Sequence, residues 1–344
     1  MRNMDMLTTS YIRTGAFVGF QELVHELGGN PTSLMKQVGI DQKALDNPDN
    51  LISLHANIQI EELAARTTGC DAFGLLWGQR QDLTILGATG LLAKHSPDVD
   101  AALKNIIKYM HLHAPGLQIE LKVEDEETAY LIPRLRLQKT GTFTQYIDHV
   151  LAVAFNVCRC FMGPDWSPEM VCFAHRPPRD QRPFQKLFKS FLAFDADFNG
   201  IVFNAEILDK QLTETDPYLA DLLINYLKGF DQCPSNDITV QIEKLITSLL
   251  RTGNCSIETV SGSLSIDKRT LQRKLKASNT TFQKLLDKVR STTALNHLTQ
   301  SDISMSHLAA RLGYSEQSAF IRAFQRWFKE TPQRWKNRQN NMEI

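Results

Sequence analysis

From Ser256 onward the sequence spells the same supersecondary unit twice, 48 residues apart: a capped short helix, a turn, and a second helix with one apolar face. In the first copy Ser256 stands at an N-cap, Ile257, Val260 and Leu264 form the inward side, and Ser265-Ile266 turns the chain. Asp267 then caps a helix carrying Leu271 and Leu275. In the second copy Ser304 caps a helix bearing Leu308, Ala309 and Leu312, Gly313 supplies a left-handed stop, and Ser315 caps a helix burying Phe320, Phe324 and Phe328. Between the copies, Thr280-Thr281-Phe282-Gln283 reads as a capping box that opens a long spacer helix through Leu285, Leu286, Val289, Ala294 and Leu298. Ile238, Ile242, Leu245, Ile246, Leu249 and Leu250 form one more inward stripe ended by Gly253, and Thr331-Pro332 starts a last short helix. Residues 237–340 are therefore expected to be an all-α domain with two helix-turn-helix units.

The second helix of each unit turns a polar face outward: Arg269, Gln272, Arg273 and Lys276 in the first, Glu316, Gln317, Ser318, Ile321 and Arg322 in the second. Arg and Gln offer paired donors and acceptors to base edges, while Arg and Lys neutralise phosphates. Two such helices on a stiff spacer suit successive major-groove faces about 34 Å apart. Charge decides whether this face meets a polyanion. The whole chain has a net charge of zero, yet residues 237–344 hold 17 Lys+Arg against 9 Asp+Glu, leaving 21 against 29 in residues 1–236. The two ends thus carry +8 and −8, and double-stranded DNA is the expected partner of the basic one.

At 344 residues the chain is too long for one ordinary domain. Residues 1–230 read as α+β. Helices come first, punctuated at Gly28-Gly29-Asn30-Pro31, Asn47-Pro48 and Gly69, with a helix starting at Ser96-Pro97 and running through Leu103, Ile106, Ile107 and Met110. The period then drops to two, so that 117–123 and 129–137 form a hairpin about Glu124-Asp125-Glu126-Glu127. A helix over 143–162 covers the sheet, short strands are expected at 170–175 and 200–203, and Asp216-Pro217 opens a helix to about Phe230. Residues 231–236 lack periodicity, contain Pro234 and precede the charge change, which marks them as a linker.

Few residues in the acidic half suggest chemistry. Tyr130, Ile132, Arg134 and Arg136 share one strand face, so Tyr130, Arg134 and Arg136 are candidates for holding an acidic effector; Glu120 and Lys122 across the hairpin offer the alternative of plain cross-strand charge pairs. His111, His113, His149 and His175 show no metal-ligand spacing, and Trp77 and Trp166 read as core residues. Cys158 and Cys160, if helical, point about 200° apart, which disfavours a shared metal or disulfide. No cofactor or metal is expected. The N-terminus lacks a signal-peptide plan and no run nears the ~18 apolar residues of a membrane span, so a cytoplasmic protein without a membrane partner is expected. A DNA-repair methyltransferase would need a Pro-Cys-His-Arg nucleophile; Cys172 and His175 lack that arrangement, and no enzyme activity is expected.

The basic half resembles the AraC/XylS family of bacterial regulators. The likeness runs through Arg290, Ala294 and Leu298 into Met305-Ser306-His307-Leu308-Ala309-Ala310-Arg311-Leu312-Gly313-Tyr314-Ser315, Ala319-Phe320-Ile321-Arg322-Ala323-Phe324 and Thr331-Pro332. It implies that the outward positions of both second helices touch bases or phosphates. It further implies transcription regulation, with activation favoured over effector-independent repression, RNA polymerase as a partner, and a possible homodimer. The chain departs from the family at Lys329, where glycine is usual, and at Ser261 and Ser265, where alanine and glycine are usual. Trp166-Ser167-Pro168 and Val171-Cys172-Phe173-Ala174-His175 resemble the arabinose-binding-like region of one branch of the family, which implies an effector-sensing and dimerising domain without making arabinose the ligand.

Overall fold

A computed structural model of the chain describes residues 11–135, 143–231, 238–252, 255–263, 268–300 and 303–340. The chain divides into two units, Met1–Ser235 and Asn236–Ile344. In the first, β1 (Tyr11–Arg13) is followed by two short helices, α1 (Phe20–Glu26) and α2 (Pro31–Gln37), and pairs antiparallel with β2 (Leu51–Ser53). Asn30 starts α2 by accepting from the Ser33 N–H at 3.0 Å, with Pro31 in the first turn where no donor is needed. Ser53 caps α3 (Leu54–Thr68), and Gly69 at φ 67° ends it. α4 (Phe73–Gly78), α5 (Ala88–Lys94) and α6 (Val99–His113) follow. α6 begins two residues later than Ser96-Pro97 suggested: Asp98 is its cap, accepting from the Ala101 N–H at 2.7 Å, while Ser96 is buried and donates to the Leu92 carbonyl.

The remaining elements are β3 (Leu117–Val123), β4 (Thr128–Leu135), α7 (Thr144–Met162), β5 (Met170–Cys172), α8 (Arg182–Phe188), β6 (Phe191–Ala193), β7 (Gly200–Asn204) and α9 (Pro217–Asp231). The sheet order is β3-β4-β7-β5-β6, antiparallel except where β6 pairs parallel with β5. The strand expected to reach residue 175 ends at Cys172, and β1, β2 and β6 are additions to the expected set. The unit is α+β as its alternating and helical periods indicated. α7 buries Tyr146, Ile147, Leu151, Phe155, Cys158 and Phe161 on one stripe, and Cys160 points outward.

α4 and α7 pack with almost no gap, and two glycines one turn apart allow it. A Cβ on Gly74 would sit 1.8 Å from the Gln145 carbonyl oxygen, and one on Gly78 2.5 Å from that of His149. The Gln145 side chain accepts from the Gly74 N–H at 2.8 Å and donates to the Asp71 carbonyl at 2.9 Å, so α7 itself satisfies the start of α4.

The second unit holds α10 (Ile238–Thr252), α11 (Ile257–Ser263), α12 (Lys268–Ala277), α13 (Phe282–Gln300), α14 (Met305–Arg311), α15 (Gln317–Phe328) and α16 (Pro332–Asn340). Ile242, Leu245, Ile246, Leu249 and Leu250 of α10 are buried, as are Leu285, Leu286, Val289, Ala294 and Leu298 of α13. The start of α13 differs from a capping box: Thr281 accepts from the Lys284 N–H at 3.3 Å, and Gln283 reaches forward to Asp287 instead of back.

Candidate nucleic-acid interface and ligand cavity

The first helix-turn-helix is α11 and α12. Ser256 Oγ accepts from the Thr259 N–H at 3.0 Å, and Val260, Leu271 and Leu275 are buried. Ser261, the serine where the family has alanine, is also buried but satisfied, returning its hydroxyl to the Glu258 carbonyl at 3.0 Å. Leu264, Ser265, Ile266 and the expected cap Asp267 lie outside the described residues. With the leucines inward, Arg269, Gln272, Arg273 and Lys276 of α12 are all exposed.

The second helix-turn-helix is α14 and α15. Ser304 caps α14 by accepting from the His307 N–H, Leu308, Ala309 and Leu312 are buried, and Gly313 turns the chain at φ 73°. Arg290 of α13 secures this turn: its Nε donates to the Leu312 carbonyl at 2.8 Å, a terminal nitrogen donates to the Gly313 carbonyl at 3.2 Å, and the guanidinium lies 4.3 Å from the centre of the Tyr314 ring. The cap of α15 is corrected from Ser315 to Glu316, which has extended backbone and makes no side-chain cap bond. Phe320 and Phe324 are fully buried and Phe328 partly so. Glu316, Gln317, Ser318 and Arg322 are exposed and Ile321 is half-buried on the same outward side. Lys329 adopts the left-handed φ of 63° that explains the usual glycine there.

In the first unit of the chain the expected effector residues fall on one face of β4. Arg134 pairs with Glu120 at 2.8 Å, and the Tyr130 hydroxyl donates to Glu124 at 2.7 Å under Lys122, whose ammonium lies 5.2 Å from the ring centre. Arg136 lies outside the described residues. The alternate residues Leu131 and Pro133 instead face a cavity between α6, α7 and the β3–β4 hairpin. Its volume is ≈ 80 Å³, and among the described residues its wall is apolar apart from Gln81, His113, Tyr146 and His149. Sequence reading missed this site, because its lining comes from stripes that each look like ordinary core.

Gln81 and His149 tie the cavity wall to a buried polar cluster. His149 meets Glu61 at 3.1 Å through Nδ1 and Gln81 at 2.9 Å through Nε2, and Gln81 Nε2 donates to the Ala16 and Val18 carbonyls. Burial pushes the Glu61 carboxyl up, against the pull of His149. Burial, aided by the charges of Arg13 and His149, lowers His113 to about 3, so its imidazole is neutral. One residue before His149 in α7, Asp148 meets His175 Nε2 at 2.8 Å.

Among the described residues no group of His, Cys, Asp and Glu could hold a metal ion, and no helix is long and apolar enough to cross a membrane.

Residues 28–212 match the family model described as the arabinose-binding domain of AraC transcription regulator, N-terminal, and residues 242–338 match a helix-turn-helix domain model. The chain is similar to the HTH-type transcriptional regulator VirS of Mycobacterium tuberculosis, at 26% identity over 332 residues, covering 95% of this chain and 96% of that one. It is also similar to the ornithine utilization regulator of Pseudomonas aeruginosa, at 24% identity over 319 residues, covering 90% and 92%. Among solved structures it is similar to the transcriptional regulator CdpR from Pseudomonas aeruginosa, at 18% identity and a TM-score of 0.44, covering 89% of this chain and 96% of that one.

Proposed function

This chain belongs to the AraC-type transcription regulators with an arabinose-binding-type N-terminal domain, and on that premise we propose that the outward faces of α12 and α15 read a specific DNA site under the control of a small-molecule effector held by the first unit. That it is a DNA-binding helix-turn-helix regulator follows from the family. The assignment of individual contacts rests on one observation. In both recognition helices Leu271, Leu275, Phe320 and Phe324 are consumed by the core while Arg269, Gln272, Arg273, Lys276, Gln317, Ser318 and Arg322 remain exposed. Arg273 and Arg322 are assigned to base edges, and Glu316 and Ile321 to the rim of the same contact.

Two places in the first unit suit an effector. Tyr130 and Arg134 already hold carboxylates of their own chain, so the cavity is the favoured one. Activation through RNA polymerase, a second copy of the chain as partner and a cytoplasmic location complete the reading. No catalytic role is assigned: Cys172 is buried and burial raises its thiol pKa, the opposite of an activated nucleophile.

The test uses a DNA site selected from genomic fragments by the intact protein. Arg273→Ala and Arg322→Ala should each weaken binding to that site by about 1–3 kcal/mol and relax base preference locally. Equal losses on the selected site and on scrambled DNA would show that both arginines contact phosphate alone.

A further inference from the structure

We propose that the cavity between α6, α7 and the β3–β4 hairpin binds a small, uncharged, largely hydrocarbon molecule with a single hydroxyl or carbonyl group, and that His113 holds that group. This rests on the effector reading above and gives the effector a place and a chemical class.

The wall is built from two helix stripes at helical spacing. Leu103, Ile106, Met110 and His113 come from α6, and Val150, Val153, Ala154 and Val157 from α7, with Leu131 and Pro133 of β4 closing one side. Among the described residues that line it there is no Lys, Arg, Asp or Glu. A carboxylate or ammonium placed there would lose its hydration without gaining a partner, and a sugar would leave several hydroxyls unpaired. Hydrocarbon fits this wall.

Among the four polar side chains of the wall, one nitrogen stands apart. His113 is only 5% exposed, and its Nδ1 is buried without a hydrogen-bond partner among the described residues. The other imidazole on the wall, His149, has both nitrogens engaged. Native interiors rarely leave such a group unpaired, and a neutral imidazole nitrogen can accept from a hydroxyl or, in the other tautomer, donate to a carbonyl. His113 therefore selects for one neutral polar group on an apolar body. Pockets of this kind, apolar with a few placed polar groups, are the usual form of small-molecule sites.

The test is calorimetric titration of the intact chain with 1-hexanol, 2-hexanone, benzene, hexanoate and arabinose. Hexanol and hexanone should bind, whereas hexanoate and arabinose should not bind at the same concentrations. Ala154→Leu, which fills the cavity with added hydrocarbon, should abolish hexanol binding. His113→Leu should weaken hexanol about fivefold and leave benzene binding unchanged. Failure of both neutral probes to bind, hexanoate binding as tightly as hexanol, or hexanol binding undiminished in Ala154→Leu would each overturn the proposal. DNA affinity separates this from the broader reading. A cell extract that shifts the DNA affinity of the wild type and of Ala154→Leu equally would keep effector control and remove this site. Hexanol bound in the cavity, with no extract shifting DNA affinity, would keep the site and remove effector control.

Discussion

Lys329 closes α15 at a φ of 63°, a conformation that places a Cβ too near its own carbonyl and that glycine adopts freely. Replacing it by glycine relieves that strain but frees the unfolded chain, so Lys329→Gly should gain no more than about 0.5 kcal/mol. Lys329→Val, β-branched in the same conformation, should lose about 1 kcal/mol. Thermal melts of the intact protein followed through the tryptophans of the second unit would check this, and a valine variant as stable as the wild type would contradict the assigned backbone. A second residue-scale prediction concerns charge. Burial pushes Asp148 from 3.8 up to about 6 despite its bond to His175. A carboxyl whose folded pKa is raised keeps its proton longer in the folded state, so its contribution to stability declines as pH rises from about 4 to 6 and is fully lost above that. For His175, burial lowers the pKa, but the hydrogen bond and charge of Asp148 together outweigh it and the net shift is upward. Its contribution therefore holds at low pH and fades as pH climbs through its folded pKa. Asp148→Asn should flatten the decline between pH 4 and 6 and move the His175 midpoint down. Melting curves across that range and histidine NMR would measure both, and an unmoved His175 midpoint would break the proposed coupling.

At the scale of elements, the sequence was readable wherever one period lasted long enough. α7 at 19 residues and β3–β4 at 7 and 8 repeat their patterns several times, so their faces and approximate limits could be read directly. β1, β2 and β6 have three residues each, and three residues carry no alternation to read. Caps were legible in kind more than in place. Ser256 and Ser304 cap as expected, but Asp98 replaces Ser96, Thr281 replaces a Thr280 box, and Glu316 replaces Ser315, because several capping residues cluster at each start and tertiary packing chooses among them. The outward faces of α12 and α15 follow from periodicity alone, since fixing Leu271, Leu275, Phe320 and Phe324 inward fixes the rest. The cavity could not be read this way. Its wall combines residues from Ile12 to Val157, and only the tertiary arrangement shows that two buried stripes stop short of touching. The same holds for Gly74 and Gly78, whose reason is the backbone of α7 lying against them.

For the whole molecule, the charge split and the two structural units coincide: the residues from 237 onward carry +8 and those before them −8, and the division between units falls at Ser235 and Asn236. The core around Phe320 and Phe324 draws on residues of the second unit, while the large core that includes Trp77, Leu151 and Phe203 draws on the first. A fragment spanning 236–344 should therefore fold alone and bind DNA. Its log affinity should fall steeply with log salt as Lys and Arg release counterions from phosphates. A fragment spanning 1–235 should fold, fail to bind DNA and retain binding of neutral apolar probes. Regulation needs more than two competent pieces, because an effector shifts DNA binding only if it favours one state of the intact chain over another, whether a domain arrangement or a dimer. Hence the effector should change the DNA affinity of the intact chain and leave that of 236–344 untouched. Measuring DNA affinity and melting for the two fragments beside the intact protein decides between the possibilities. An unfolded 236–344 would mean that the helix-turn-helix units depend on the first unit for their core, and a 1–235 fragment that bound the selected DNA site would overturn the division of labour.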